Sequence, residues 1–288
     1  MEIWPNFFIV GASKSGTSSL YEYLKKIPEI YMSTRKEPHY FSYTNIPDDH
    51  ILKPIRDKKK YLKLFANTKD EKIIGEASTT YLADPKAAEL IHKISPNARI
   101  LISLRDPVER IFSGYLMKIR DGILKTSFHE QIQKELKQKE FSIHDLQLEK
   151  GLYSKHVKRY FDIFDSKQIK IIIFEEWIKN SEDIIKEILK FLGLKIILYE
   201  FKEEVYNPYE ISRGKLLTSI RRNYNLNTAA KRILPQSTRT FLKNNFFIKK
   251  GVKPKMEDED RKFLTNFYSD DVKKLQTLLG RKLPWANF

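Results

Sequence analysis

The run Phe7-Phe8-Ile9-Val10-Gly11, followed by Ala12-Ser13-Lys14-Ser15-Gly16-Thr17-Ser18-Ser19-Leu20, constrains this chain more than any other stretch. An uncharged apolar run of this kind reads as a buried parallel strand. It stops at Gly11, and a turn rich in Ser, Gly and Thr leads into a helical pattern with Leu20, Tyr23, Leu24 and Ile27 on one face. Strand, tight turn and helix in that order aim successive backbone N–H groups and the positive helix end at one point, which makes an anion site. Gly16 supplies a backbone shape that other residues resist, and Lys14 adds a full positive charge. An ordinary strand-to-helix turn has the same outline, so a second motif is needed to assign a ligand.

The turn departs from the nucleoside-triphosphatase loop G-x-x-x-x-G-K-[ST] in an informative way. Gly11 and Gly16 have its spacing and Ser18 is in place, but Thr17 stands where the lysine belongs. The lysine has moved to Lys14, inside the loop. A kinase or nucleotidase of that class would need Mg²⁺ and a lysine at position 17. The arrangement Lys14-Ser15-Gly16-Thr17-Ser18 instead resembles the 5′-phosphosulfate loop of sulfotransferases, whose donor is 3′-phosphoadenosine 5′-phosphosulfate (PAPS).

The second motif is Arg105-Asp106-Pro107-Val108-Glu109-Arg110-Ile111-Phe112-Ser113, directly after the apolar run Arg99–Leu104. Pro107 suits the first turn of a helix, and an arginine fork can bind a phosphate bidentately. The run is similar to the 3′-phosphate motif of sulfotransferases, which implies Arg105 and Ser113 as its ligands. Capping by Asp106 beside a surface arginine is the plainer reading. A third stretch, Glu37-Pro38-His39-Tyr40-Phe41, resembles the E-x-H-[FY]-F run of sulfotransferases acting on glycans such as heparan sulfate. That resemblance implies Glu37 as the base taking the acceptor proton, with His39 as the second candidate and Lys14 stabilising charge. Glu76-Ala77-Ser78-Thr79-Thr80-Tyr81 is similar to the family's E-x-[ST]-P-x-Y stretch. Ala77 stands where some members carry a lysine, so that lysine's role does not transfer. Lys249-Lys250-Gly251 matches the basic loop that family members close over the 3′-phosphate, and Leu279-Gly280-Arg281-Lys282-Leu283-Pro284-Trp285 resembles a bacterial-type tail.

Strands alternating with helices predict an α/β fold with a mainly parallel central sheet flanked by helices and ligands at the C-terminal strand ends, and the resemblance implies that this is the sulfotransferase P-loop type. One domain over 1–288 is expected, with strands at 72–75, 99–104 and 168–174. A long helix at 258–279 is predicted to pack through Phe263, Phe267, Leu275, Leu278 and Leu279. With no cysteine, the chain has no disulfide, thiol nucleophile or cysteine-held zinc. No acidic residue follows a strand in the manner of a metal ligand, so no metal is expected.

The formal net charge is +16, and the acid-free segment from Ile211 to Met256 holds twelve Lys and Arg. That segment reads as helices joined by loops. A field of one sign attracts phosphate cofactors, acidic polymers or an anionic membrane face, or is simply a solvated surface. Nucleic acid is not expected, because stacking aromatics are not regularly interleaved there. The expected partner is a glycan acceptor, with peripheral contact to an anionic membrane as a further possibility. No run reaches the ~20 apolar residues of a membrane span. With no leader pattern at the start, the expected location is the cytoplasm.

Overall fold

The computed structural model describes residues 2–45, 53–137, 146–195 and 254–288, together with the backbone of two short strands, Ile211–Ser212 and Ile248–Lys249. Its residues group into two compact units. One comprises Met1–Arg110, Lys150–Tyr206 and Thr265–Phe288; the other comprises Ile111–Glu149 and Asn207–Leu264.

The first unit is built on a five-stranded parallel sheet. Its strands are β1 (Phe7–Gly11), β2 (Ile30–Met32), β3 (Ile73–Ala77), β4 (Arg99–Leu104) and β5 (Ile169–Ile173), in spatial order β2-β3-β1-β4-β5. The β1 strand lies in the middle and every one of its residues is buried, as its uncharged run dictates. After β3 the chain crosses to the other side of β1 to form β4, so the direction of winding reverses at β1. Ligand sites of open α/β sheets lie at such a reversal, beyond the carboxyl ends of the strands.

Phe7 and Ile9 pack on one face of the sheet with Leu20, Tyr21 and Leu24 of α1 (Thr17–Leu24) and with Ile184, Ile185, Ile188 and Leu189 of a later helix, Ser181–Phe191. On the opposite face, which alternation gives to Phe8, the ring of Phe41 meets Phe8 edge-on at 5.7 Å. Each such buried side chain contributes about 1.5–3 kcal/mol. Together they hold the ends of β1, β3 and β4 in fixed register.

Three elements differ from the sequence expectation. Ile30–Met32 is a strand, too short to show an alternation of its own; it exists because it pairs with Ile73–Gly75. The β3 strand does not stop at Gly75 but carries Glu76 and Ala77 inside the sheet. The C-terminal helix, Asp258–Leu279, has the predicted bounds and buries Leu275 as expected, but the rest of its buried stripe differs from the prediction. Leu264, Tyr268, Val272 and Leu275 are its buried stripe, while Phe263 and Leu278 are exposed. In the first unit Gly151 explains part of this. A Cβ there would lie 2.7 Å from the Tyr268 ring, so the missing side chain makes room for Tyr268.

The second unit includes the helix Phe128–Lys137, which buries Phe128 and Ile132. The Phe128 ring lies 5.0 Å from Phe112 and 5.1 Å from Tyr115. Ile211–Ser212 pairs antiparallel with Ile248–Lys249. The rest of the basic segment up to Lys253, including Lys250 and Gly251, lies outside the described residues. Among the described residues no helix is long and apolar enough to cross a membrane.

Candidate active site

The turn after β1 is held open for an anion. Ala12 N–H bonds to the Ser103 carbonyl at 2.6 Å, and the Ser103 hydroxyl donates to the Ser15 carbonyl at 2.5 Å, tying the turn to β4. Lys14 and Gly16 both adopt left-handed backbone, with φ of 68° and 79°, which curls the turn back on itself. Gly16 begins α1 without any side chain capping the helix, so the first N–H groups of Thr17, Ser18 and Ser19 face outward. The Ser15 hydroxyl is buried and has no hydrogen-bond partner. A phosphate or sulfate would satisfy these donors, so the residues present fit the phosphosulfate end of PAPS.

Arg105 leaves the end of β4 beside this turn. Its Nη1 donates to the Lys14 carbonyl at 3.2 Å, its guanidinium lies 4.7 Å over the Phe174 ring, and its Nε is buried without a partner. Burial lowers its pKa, against the pull of Glu175 and Glu109. The same Phe174 ring closes the other side of the turn, where a Cβ on Gly16 would come within 3.0 Å of it. The Arg105 backbone is braced from a distance. Tyr153 OH donates to the Arg105 carbonyl at 3.0 Å. Glu175 accepts from Asp106 N–H and from Trp285 Nε1, both at 3.1 Å. Asp106 takes Val108 N–H at 2.9 Å and Asn287 Nδ2 at 2.8 Å. It therefore caps the helix Pro107–Arg120, as the plainer reading of the motif has it, but the arginine beside it is largely buried rather than at the surface. The C-terminal tail is structural support for this turn.

Glu37 lies at the end of β3. Its N–H bonds to the Ala77 carbonyl at 2.8 Å, and both Glu37 and His39, on either side of Pro38, have left-handed backbone, with φ of 59° and 54°. Such geometry costs about 1–3 kcal/mol per residue and persists only where the surroundings enforce it. Here they do. His39 N–H bonds to the Ser78 hydroxyl at 3.0 Å, and His39 Nδ1 lies 2.9 Å from Thr80 Oγ1, which is 2.6 Å from Ser42 Oγ. Phe41 N–H reaches the Tyr81 hydroxyl at 3.3 Å. Tyr40 stacks on Tyr61 at 4.1 Å, anchoring the loop.

The Glu37 carboxylate is crowded with donors. Lys36 Nζ is 2.5 Å from Oε1. Oε2 accepts from Thr79 Oγ1 at 3.3 Å and lies 3.2 Å from His39 Nε2, a contact without the alignment of a hydrogen bond. Burial alone would raise the Glu37 pKa. The Lys36 charge, with His39, outweighs it and holds the group at about 2. One residue before Ala77, Glu76 has the opposite fate. It is fully buried, and the Tyr61 and Tyr81 hydroxyls face it without the alignment of full hydrogen bonds. Burial pushes its pKa up to about 8, only partly opposed by the two tyrosines.

Because β1 pairs with β3 on one side and β4 on the other, the three turns leave the sheet side by side. Leu82 N–H, beyond β3, bonds to the Val10 carbonyl at 2.8 Å, and a Cβ on Gly11 would strike Leu82 Cβ at 2.7 Å. Glycine at position 11 lets the two turns touch. An anion cradle, a phosphate-type arginine and a carboxylate thus share one end of the sheet.

Comparison with known proteins agrees with this arrangement. A family model described as Sulfotransferase domain matches residues 5–277. The chain belongs to the sulfotransferase family of enzymes. It is 32% identical to the solved structure of a sulfotransferase from Alicyclobacillus acidocaldarius, with a TM-score of 0.73 and 98% of both chains covered. It is 27% identical to Carbohydrate sulfotransferase 15 of Homo sapiens, over 66% of this chain and 44% of that protein. It is 26% identical to Heparan sulfate glucosamine 3-O-sulfotransferase 3B1 of Homo sapiens, over 67% of this chain and 47% of that protein. The chain spans less than half the length of these two human relatives.

Of the residues singled out from the sequence, the sheet end of this sulfotransferase gathers Lys14, Ser15, Gly16, Thr17, Ser18, Glu37, His39 and Arg105. Ser113 lies half-buried on the helix that begins at Pro107, in the second unit, and Lys249 lies on a short strand of that unit. Among the described residues no group of His, Asp and Glu is arranged to hold a metal ion. Sequence reasoning missed Thr79 and Thr80, which touch the Glu37–His39 pair, and the depth of Glu76. The signal was present: Thr79 stands at the proline of E-x-[ST]-P-x-Y.

Proposed function

We propose that this sulfotransferase moves the sulfuryl group of PAPS to a hydroxyl or amine of a carbohydrate, leaving 3′,5′-diphosphoadenosine. The observation that carries the reading is a carboxylate and an anion-binding turn held at the ends of adjacent parallel strands. The donor supplies an activated sulfuryl group on a phosphate that can leave. Lys14 and the N–H groups of Ser15, Gly16, Thr17 and Ser18 hold the phosphosulfate end and stabilise its growing charge. The family resemblance assigns Arg105 and Ser113, with Lys249, Lys250 and Gly251, to the 3′-phosphate. The acceptor oxygen or nitrogen forms its bond to sulfur as the bond from sulfur to the 5′-phosphate oxygen breaks. Glu37 takes the acceptor proton, with His39 beside it as the second base candidate. No step calls for a metal.

The carbohydrate class rests on two supports. The Glu37–Phe41 stretch resembles glycan enzymes, and both human relatives carry glycan substrates in their names. The basic segment 211–256 would guide a polyanion. Retention on immobilised 3′,5′-diphosphoadenosine rather than ATP with Mg²⁺ tests the donor class. A panel of glycan, phenol, lipid-linked sugar and tyrosine-peptide acceptors at two salt concentrations tests the acceptor. A polyanionic acceptor's KM should rise steeply with salt. Efficient, salt-insensitive turnover of a neutral phenol would refute the glycan reading.

A further inference from the structure

The two oxygens of Glu37 are held differently. Oε2 faces His39 and Thr79, whose positions are fixed. The His39 ring is fully buried, its backbone is tied to Ser78, and its Nδ1 is tied to Thr80. A carboxylate only accepts, so a consistent proton order runs from Ser42 to Thr80 to His39 Nδ1, leaving the hydrogen on Nε2, the nitrogen 3.2 Å from Glu37 Oε2. The Glu37 backbone is fixed, with its N–H bonded to Ala77 in a left-handed conformation. Oε1 meets a partner of a different kind, the Lys36 ammonium at 2.5 Å. Lys36 sits on a flexible four-carbon stem, and its side chain is 20% exposed.

While the ammonium holds Oε1, that oxygen is a weaker proton acceptor toward an incoming hydroxyl. Of the partners of Glu37, Lys36 is the one able to move without breaking the fold. An ammonium leaves a carboxylate readily only for another anion. We propose that Lys36 is an acceptor-sensing gate, which occupies Oε1 of Glu37 until a sulfate or carboxylate group of the acceptor draws the ammonium away and frees that oxygen to receive the acceptor's proton. This rests on Glu37 being the base, and it makes acceptor charge favour turnover as well as binding. A neutral sugar can occupy the site yet meet a base that is still paired. The low basicity of the paired carboxylate agrees with this: at about 2 it is a poor proton acceptor, and the titratable groups facing it are Lys36 and His39.

The test follows the Glu37 carboxyl by ¹³C NMR titration of the whole chain with 3′,5′-diphosphoadenosine bound. The probes are a sulfated, uronic-acid-containing tetrasaccharide and a neutral tetrasaccharide. Lys36→Met, which keeps the stem and removes the charge, should raise the midpoint by about 1–3 pH units. In the unaltered chain the sulfated probe should raise it and the neutral one leave it in place. In turnover, Lys36→Met should increase kcat on neutral sugars and reduce the advantage of sulfated ones, and Lys36→Arg should restore the advantage. A midpoint unmoved by both Lys36→Met and the sulfated probe would overturn the gate, as would equal loss of kcat on both acceptors. Should Lys36→Met fold poorly, the probe titration of the unaltered chain decides alone. Full turnover by Glu37→Gln would instead remove the base assignment, which the carboxyl titration does not presuppose.

Discussion

Glu37 and Glu76 are joined through one peptide, since Glu37 N–H bonds to the carbonyl of Ala77, the residue after Glu76. Their electrostatics nevertheless run in opposite directions. Glu37 is drawn to about 2 by Lys36 and His39 in spite of burial, and Glu76 is pushed to about 8 by burial, with two tyrosines as its polar neighbours. Burial raises any carboxyl that lacks a cation. A neighbouring ammonium reverses the sign. The loop therefore presents an ionised carboxylate at the surface of the site and keeps a protonated one beneath it, where charge would destabilise the sheet.

The largest expected difference between the two is in catalysis. Glu37→Gln should lower transfer about 10²–10⁴-fold, as loss of a general base does, while Glu76→Gln stays within several-fold of the parent. Steady-state rates with saturating PAPS check this, and the reverse pattern would exchange their roles. Next in size is donor binding, which should separate both glutamates from the anion cradle. Arg105→Ala should weaken 3′,5′-diphosphoadenosine by roughly 1.5–3 kcal/mol, the range for a charge-assisted hydrogen bond. Calorimetry should show Glu37→Gln and Glu76→Gln at parental affinity. Unchanged affinity in folded Arg105→Ala would remove Arg105 from the donor site.

The third difference lies in stability against pH, where the two carboxyls have opposite signs. From the ordinary value of 4.5 up to about 8, the unfolded chain has released the Glu76 proton that the folded chain retains, so stability falls as pH rises through that window. Each unit of displacement is worth about 1.4 kcal/mol, and local relaxation reduces the whole to roughly 1–3 kcal/mol. Glu76→Gln should accordingly lose less stability than the parent between pH 5 and 8 in denaturant titrations. Glu37 acts at the other end. Its contribution is complete above 4.5 and disappears as pH falls toward 2, so the stability gap between parent and Glu37→Gln should narrow on acidification. The smallest effect is expected at Thr80. Thr80→Val removes the hydroxyl at His39 Nδ1 and should cost about 0.5–1.5 kcal/mol and a few-fold in turnover, with a changed pH profile. An unchanged profile would leave Thr80 a packing residue.

The sequence alone located the glycine-rich turn after β1, the arginine motif and the Glu37 loop, because their signals are local. A glycine at a left-handed position, a proline at a helix start and a capping aspartate act on neighbours within a few residues. It also determined the bounds of β4 and of the C-terminal helix, since apolar runs and end signals lie within each segment. Only the tertiary structure decided the face that helix buries, because Tyr268 needs the space left by Gly151, more than a hundred positions earlier. The short strand Ile30–Met32 likewise depended on β3 as a template. The protonation of the two glutamates was settled the same way. Glu76 looks like a polar strand end in sequence, yet it lies inside the sheet beneath Tyr61 and Tyr81. The partners that fix His39 and Oε2 of Glu37 come from Ser78, Thr79 and Thr80, about forty residues away along the chain but one strand away in space. Desolvation and long-range pairing set the charge of these groups, and neither is written in the residues beside them.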